Sequence, residues 1–176
     1  MKYKLEQLGS INITVIDGDR GKNYPHKNEL HNSGHCLFLS ARNVTQAGFS
    51  FLDNQFITIE KDQQLNNGKL SRGDIVITTR GTVGNVALYS DSVPYEHIRI
   101  NSGMLIVRCG EGVEQNYLYQ VLRSKWFYSQ ILTIQSGSAQ PQLPKSHFLK
   151  MFVPLPSILQ QRKISTICSS IDKKSN

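Results

Sequence analysis

The 176-residue sequence has few cysteines and no long apolar run, and both absences narrow the class of protein. Its three cysteines, Cys36, Cys109 and Cys168, are widely spaced and odd in number, which favours reduced thiols over a disulfide framework. No run of about eighteen apolar residues is present to form a transmembrane helix. Residues 1–6 lack the apolar core of a signal peptide. We therefore expect a soluble protein of the cytoplasm.

Motifs that carry out catalysis are absent as well. The sequence contains no Gly-x-Gly-x-x-Gly loop and no Asn-Pro-Pro-Tyr-type motif, so methyl transfer by this chain is not expected. The triplet Glu60-Lys61-Asp62 superficially resembles the acidic-x-acidic element of magnesium nucleases. Its central lysine and polar surroundings favour a solvated loop instead. We predict no catalytic residue.

Two clusters of possible metal ligands are incomplete. His31 and His35, beside Cys36, have a spacing of four, but Asn32-Ser33-Gly34 would break a helix that aligned both rings for zinc. Asp17 and Asp19, with Glu29 downstream, lack the twelve-residue ligand pattern of a calcium loop. We expect the two aspartates to bond local backbone and shape their loop, and we predict no metal site.

The charge balance is basic. Twenty Lys and Arg residues against thirteen Asp and Glu residues leave a formal net charge of +7, with a sequence pI near 9.4. Such a surplus attracts phosphate polyanions and accelerates encounter with them. A basic balance also serves solubility alone, so charge by itself does not decide for nucleic acid.

The pattern of apolar and turn residues predicts an α+β fold, a single domain of twisted β-sheets with a few packed helices. Residues 17–34 are rich in Gly, Pro and Asn and predict a long loop, of the kind that is usually functional. Strands are expected at 35–40, within 49–59, in a hairpin over 73–89, at 104–108 and at 151–153. Helical segments are expected at 4–9 (or a turn), 61–67, 113–125, 126–134 and after Pro156.

The hairpin contains the most specific sequence motif in the chain. A β-branched run, Ile75–Thr79, leads into Arg80-Gly81-Thr82-Val83-Gly84, which presents an arginine between residues that allow close backbone approach. Three further segments accompany it: Asp17–Pro25, Leu37–Val44 and the C-terminal order Ser136–Leu143, Val153–Pro156 and Gln160–Ile164. Together these segments resemble the target recognition domains of type I restriction-modification specificity subunits, over nearly the whole chain.

The resemblance implies a non-catalytic, sequence-specific DNA-binding component. In that family each recognition domain reads one half of a bipartite DNA site, and the subunit docks methyltransferase and restriction subunits. S-adenosylmethionine, ATP and Mg²⁺ belong to those partner subunits, so this chain is expected to bind no cofactor itself. Residues 1–155 would form the recognition domain, and residues 156–176 would begin the coiled-coil-like scaffold helix.

Family members carry two recognition domains separated by long paired helices, whereas this sequence has one domain and the start of one helix. It would be a half-length subunit, a truncated gene product or part of a longer protein, and it could act as a homodimer or with a second recognition domain. Ile164, Ile167 and Ile171 form a short apolar stripe for which partner docking and simple intramolecular packing both remain open.

Donor-rich loops supply the candidate DNA contacts, because Lys and Arg neutralise phosphates while Arg, Asn and Gln can pair with base edges. Residues shared across a family that reads many sequences could instead shape the hairpin or touch phosphate. The candidates are Arg20, Lys22, Asn23, Tyr24, Arg42, Asn43, Lys69, Arg72, Arg80, Ser138, Gln140, Gln142 and Lys145.

Three other interpretations remain. The chain could be the recognition module of a phage-defence methyltransferase or of a fused restriction enzyme. It could be an assembly protein that completes a specificity complex without reading DNA. It could also be a small nuclease that uses the carboxylates of residues 17–29, which metal-dependent cleavage of DNA would reveal.

Overall fold

The computed structural model describes residues 3–135 and 141–172, which mix short strands with helices. The strands are β1 (Leu5–Gln7), β2 (Ile13–Asp17), β3 (Cys36–Leu39), β4 (Val44–Thr45), β5 (Gly48–Phe49), β6 (Phe56–Ile57), β7 (Ile75–Thr78), β8 (Val86–Leu88), β9 (Ile98–Ile100), β10 (Met104–Cys109) and β11 (Phe152–Pro154). The α-helices are α1 (Ile59–Gln64), α2 (Gln115–Leu122), α3 (Lys125–Gln135), α4 (Lys145–Phe148) and α5 (Ile158–Asp172). Short 3-10 helices lie at Leu8–Ser10, Lys27–Glu29 and Ala41–Asn43. The expected α+β class is confirmed.

A four-stranded antiparallel sheet in the order β2-β10-β7-β8 forms the centre. Successive side chains of a strand point to opposite faces, so β7 supplies both sides of the sheet. Ile75 and Ile77 pack with the buried faces of α2 and α3, whereas Val76 packs toward a second sheet. Both faces are covered, which is why this segment is a continuous apolar run.

The second sheet has the order β6-β3-β9, and its strands β3 and β9 are parallel, with Leu39 opposite Ile100. Leu37, Leu39, Ile98 and Ile100 are buried in the core between the two sheets. The expected hairpin is also confirmed, because β7 and β8 pair antiparallel across residues 79–85.

Strand directions place several loops at one end of the molecule. Asp17, the last residue of β2, lies opposite Leu105, and Thr78, the last of β7, lies opposite Met104, so both strands end where β10 begins. A Cβ built on Gly18 would lie 2.0 Å from the carbonyl oxygen of Asn101, which follows β9. The loops after β2, β3, β7 and β9 therefore emerge side by side, at what we call the loop end.

Two local expectations are met only in part, since Leu8–Ser10 is a short 3-10 helix and α1 overlaps the helical segment expected at 61–67. Residues 4–9 begin with strand β1, which pairs with β11 (Leu5 opposite Pro154), because the edge of β11 offers backbone partners that an isolated helical turn lacks. Glu60–Asp62 is part of α1 rather than a solvated loop, and the side chain of Asp62 is buried against Arg99.

Within residues 3–135 and 141–172, no group of three His, Cys, Asp or Glu side chains is placed to hold a metal ion. No helix in this part of the chain is long and apolar enough to cross a membrane.

Candidate DNA interface

A cleft of about 350 Å³ opens at the loop end, and it brings together candidate residues that are far apart in the sequence. Arg20 comes from the loop after β2, Arg80 from the hairpin tip, and Gln142 and Lys145 from the segment around the start of α4. Three cationic side chains and one carboxylate, that of Asp17, line the cleft. Its charge therefore favours an anionic ligand.

Asp17 organises two of these cations. The guanidinium of Arg20 lies 3.3 Å from its carboxylate and donates to the carbonyl of Ser102. The ammonium of Lys145 lies 3.9 Å from the same carboxylate and donates to the carbonyl of Val15 at 2.6 Å. Both side chains are held in place yet partly exposed, an arrangement suited to fixing a backbone phosphate in register.

The hairpin tip that presents Arg80 is held by polar and steric contacts. The hydroxyl of Thr78 accepts from the N–H of Asn85 at 3.0 Å and donates to the carbonyl of Thr82. Gly84 has φ +90°, and a Cβ there would lie 2.9 Å from Ile131 of α3, so the turn needs glycine. Within the described part of the chain, the exposed guanidinium of Arg80 has no hydrogen-bond or ion-pair partner. It can meet a ligand without breaking a contact.

The first loop is tied down by Asp19, as expected of an aspartate that bonds local backbone. Its carboxylate accepts from the N–H groups of Gly21 at 2.7 Å, Asn66 at 2.8 Å and Asn67 at 3.3 Å. Burial opposes ionisation, but these hydrogen bonds outweigh it and lower the pKa of Asp19 below its ordinary value of 3.8. The ionised form therefore anchors the loop that carries Arg20.

Other candidates of this loop are placed differently. Lys22 is exposed, whereas the amide of Asn23 donates to the carbonyl of Gln64 at 3.1 Å. The ring of Tyr24 packs edge-on against Phe38 at 5.7 Å between centroids. Lys22 is thus available to a ligand, while Asn23 and Tyr24 hold the loop to its neighbours.

Comparison with known proteins places this architecture in one family. The sequence pattern of the type I restriction modification DNA specificity domain matches residues 1–176. The chain belongs to this family.

Relatives of this specificity domain are longer proteins. The chain is 30% identical over 101 residues to the type I restriction enzyme MjaIX specificity subunit of Methanocaldococcus jannaschii, and the match covers 57% of this chain and 22% of that protein. The chain is 22% identical over 169 residues to the MjaVIII specificity subunit of the same organism, and the match covers 90% of this chain and 37% of that protein. The chain thus spans less than two thirds of the length of either relative.

Solved structures share the fold. The HsdS subunit from Thermoanaerobacter tengcongensis superimposes with a TM-score of 0.67 at 18% identity, over 98% of this chain and 38% of that one. The type IIG restriction endonuclease BpuSI superimposes with a TM-score of 0.61 at 10% identity, over 92% of this chain and 26% of that one.

The structure corrects the expectation for Asn43 of the specificity domain. The side chain is buried, with its amide donating to the carbonyls of Ser50 and Asp53 and its oxygen accepting from Ser40. All its hydrogen-bonding groups are thus in use within the protein, so it cannot pair with a base. Arg42 beside it is exposed and lies 2.8 Å from the carboxylate of Asp53.

Lys69 and Arg72 also make contacts within the protein. The ammonium of Lys69 binds the buried carboxylate of Asp62. The guanidinium of Arg72 donates to the carbonyls of Ser90, Val93 and Tyr95, at the end of β7 opposite the hairpin tip. These cations stabilise the protein's own backbone and buried charge, so we assign them structural roles.

Ser138 and Gln140 lie outside the described residues, whereas Gln142 of the same segment is exposed in the cleft. Leu143 next to it is buried, and its N–H donates to the carbonyl of Thr79 at 3.0 Å. The segment is therefore joined to the hairpin that carries Arg80.

Helix α5 packs on α2 and starts at the end of the molecule opposite the cleft. Gln161 anchors it: its side chain accepts from the N–H of Glu114 and donates to the carbonyls of Gly112 and Pro156. Ile164 is half-buried, while Ile167 and Ile171 are exposed. The apolar stripe thus mixes packing onto the domain with a solvent-facing surface.

Sequence reasoning missed the buried pair Asp62–Arg99, which anchors the segment behind the first loop. Arg99 also donates to the carbonyl of Asn67 at 2.8 Å, next to the N–H groups that hold Asp19. Only a charged residue inside an apolar strand, Ile98-Arg99-Ile100, could have indicated it.

Proposed function

We propose that this specificity domain reads one half of a bipartite DNA site for a type I restriction-modification system, with the cleft at the loop end as its contact surface. The observation that carries the proposal is the convergence of Arg20, Arg80, Gln142 and Lys145 from separate segments on one cleft. Membership of the DNA specificity family supports duplex DNA as the ligand.

The surroundings of each side chain support a division of roles. Arg20 and Lys145 are held by Asp17 and by backbone carbonyls, so they suit phosphates, which require charge at a fixed place. The side chains of Arg80 and Gln142 are exposed and have no hydrogen-bond partner among the described residues. They have free donors for base edges, such as guanine for arginine and adenine for glutamine.

Catalysis would belong to other subunits. The domain would bind no cofactor itself, and S-adenosylmethionine, ATP and Mg²⁺ would be used by methyltransferase and restriction subunits. Residues 1–155 would read DNA, and residues 156–176 would begin the scaffold that meets the methyltransferase. The exposed Ile167 and Ile171 support such a docking surface.

Selection from a randomised duplex pool tests the proposal. The purified chain is used alone and with the methyltransferase subunit, at one fixed moderate salt concentration. Enrichment of a short motif of about three to five base pairs is the expected result, twice repeated if the chain dimerises. Salt-sensitive retention without any motif would contradict base reading and favour an assembly protein that does not read DNA.

A second candidate is the recognition module of a fused restriction enzyme. The shared fold with the type IIG endonuclease BpuSI favours it. Such a module would need no separate methyltransferase subunit, so enrichment that is unchanged by that subunit, together with failure of the two proteins to co-purify, would favour this candidate.

A further inference from the structure

The turn between β9 and β10, formed by residues 101–103, contacts both arginines of the cleft. The guanidinium of Arg20 donates to the carbonyl of Ser102 at 3.3 Å. The backbone N–H of Arg80 donates to the carbonyl of Gly103 at 3.3 Å. Both arginines line the cleft, so this turn belongs to the same surface, although sequence reasoning did not single it out.

The backbone of the turn is fixed by three neighbouring loops. The N–H of Asn101 donates to the carbonyl of Leu39, the last residue of β3, at 3.1 Å. The carbonyl of Gly103 also accepts from the N–H of Thr79 at 2.8 Å. Gly18 of the first loop lies so close that a Cβ there would be 2.0 Å from the carbonyl oxygen of Asn101. These contacts determine where the side chain of Asn101 begins.

The side-chain amide of Asn101 lies beside Arg80. Its oxygen Oδ1 accepts from the N–H of Gly103 at 2.9 Å. A Cβ built on Gly103 would lie 3.2 Å from this oxygen and 3.6 Å from the Cβ of Arg80. The amide of Asn101 and the side chain of Arg80 are therefore neighbours across Gly103.

The amide nitrogen of Asn101 is available to a ligand. Nδ2 carries two N–H donors, and it makes no hydrogen bond within the described part of the chain. Among the described residues, the only buried side-chain nitrogen or oxygen without a partner is Oδ1 of Asn54. The nitrogen of Asn101 therefore reaches water. Because Gly103 holds the oxygen, the nitrogen is the free end of the amide.

A neutral amide between two arginines suits a base edge better than a phosphate. Phosphates require charge, which Arg20 and Lys145 supply in the cleft. Amide donors pair with acceptors in the major groove, which are N7 and O6 of guanine, N7 of adenine and O4 of thymine. The oxygen of Asn101 is used by the turn, so a contact through the nitrogen is favoured over bidentate pairing with adenine.

We propose that Asn101 reads one base of the half-site by donating from Nδ2 to an acceptor on the major-groove edge of that base. This inference rests on the proposed function of the cleft. It gives the β9–β10 turn a direct role in sequence choice, at a base pair close to the one that Arg80 meets.

Asn101→Asp tests the inference by replacing the free donors with an acceptor. The variant keeps the size of the side chain and an oxygen for the N–H of Gly103. Selection from a randomised duplex pool should give a motif that changes at one position toward cytosine or adenine, whose amino groups donate in the major groove. Affinity for the motif of the unchanged protein should fall about tenfold or more.

Two further variants serve as controls. Asn32→Asp makes the same charge change at an exposed asparagine before β3, at the end of that strand opposite the cleft, and it should keep the original motif. Asn101→Ala removes donors and acceptor together, so it should relax the preference at the same position without creating a new one. Urea unfolding of each variant confirms that the protein tested is folded.

An unchanged motif with folded Asn101→Asp would overturn the inference, because weaker binding to every duplex alike is explained by charge repulsion. If Asn101→Asp does not fold, an unchanged motif with Asn101→Ala overturns it instead. Both results leave the proposed function intact, since the unchanged protein still enriches its motif. Failure of the unchanged protein to enrich any motif would refute the proposed function, so the two failures are distinguishable.

Discussion

The carboxylate of Asp62 and the guanidinium of Arg99 form an ion pair that is almost entirely removed from water, with exposures of 3% and 6%. Arg99 donates further to the carbonyl of Asp62 itself, and Lys69 adds a second cation to the carboxylate. Although burial opposes ionisation, these bonds hold the pKa of Asp62 below its ordinary value. The pair joins α1 to β9 directly behind the first loop.

Replacement of Asp62 by asparagine should lower the free energy of unfolding by roughly 3–5 kcal/mol, because it leaves the charge of Arg99 buried without its partner. Urea unfolding followed by circular dichroism measures the change. Glu60→Gln, an exposed position in the same helix, should cost less than about 1 kcal/mol. If both variants lose the same unfolding free energy, the buried pair contributes no more to stability than an exposed charge does.

Asp19 should make stability depend on acid. Its folded pKa lies below 3.8, so its contribution is complete above that pH and is lost as the pH falls through the folded value. The stability advantage of the unchanged protein over Asp19→Asn should therefore be larger at about pH 7 than at about pH 3. Urea titrations of both proteins at the two pH values measure it. An advantage independent of pH would contradict the assignment.

Gly18→Ala should disturb the loop end. The added Cβ would lie 2.0 Å from the carbonyl oxygen of Asn101, and backbone must move to accept it. We expect a loss of about 1–3 kcal/mol of stability, with weaker DNA binding. Gly21→Ala, whose Cβ would meet only the carboxylate of Asp19 at 3.2 Å, is the control and should cost less. Normal DNA binding by a folded Gly18→Ala protein would show that the close approach of Gly18 to Asn101 is not needed for the function of the cleft.

Arg80→Ala should reveal whether the hairpin reads bases or phosphate. A phosphate contact predicts weaker binding to all sequences and a salt slope flatter by about one unit. A guanine contact predicts loss of preference at one position of the selected motif. Arg162→Ala, an exposed arginine in α5 at the opposite end, is the control. Binding and motif that are both unchanged in Arg80→Ala would remove the hairpin tip from the interface.

Gln161→Ala should loosen α5 without affecting the cleft. The buried amide, 1% exposed, serves the backbone of Glu114, Gly112 and Pro156, and its removal should cost roughly 2–3 kcal/mol. Gln160→Ala loses only bonds to Ser157 and should cost less than about 1 kcal/mol. Thermal unfolding and DNA binding are measured on both. Weaker DNA binding by folded Gln161→Ala would show that the two ends of the domain are coupled.

The sequence by itself determined the elements whose signals are local. The β-branched run of β7, the glycines at its turn and the periodic apolar residues of α2 predicted the hairpin and the helix, because steric preference and side-chain period act over neighbouring residues. The mixture of strand and helix patterns, which is likewise read from neighbouring residues, predicted the α+β class.

Only the tertiary structure decided which of the donor-rich residues are exposed at the cleft. Arg72 and Arg80 are equally basic in the sequence, yet one binds carbonyls of its own chain and the other is exposed at the cleft. The side chain of Asn43 is buried and that of Leu52, which sequence reasoning did not single out, is exposed. The direction of a side chain and the partners that its polar groups find depend on strands and loops distant in sequence, and no local pattern records them.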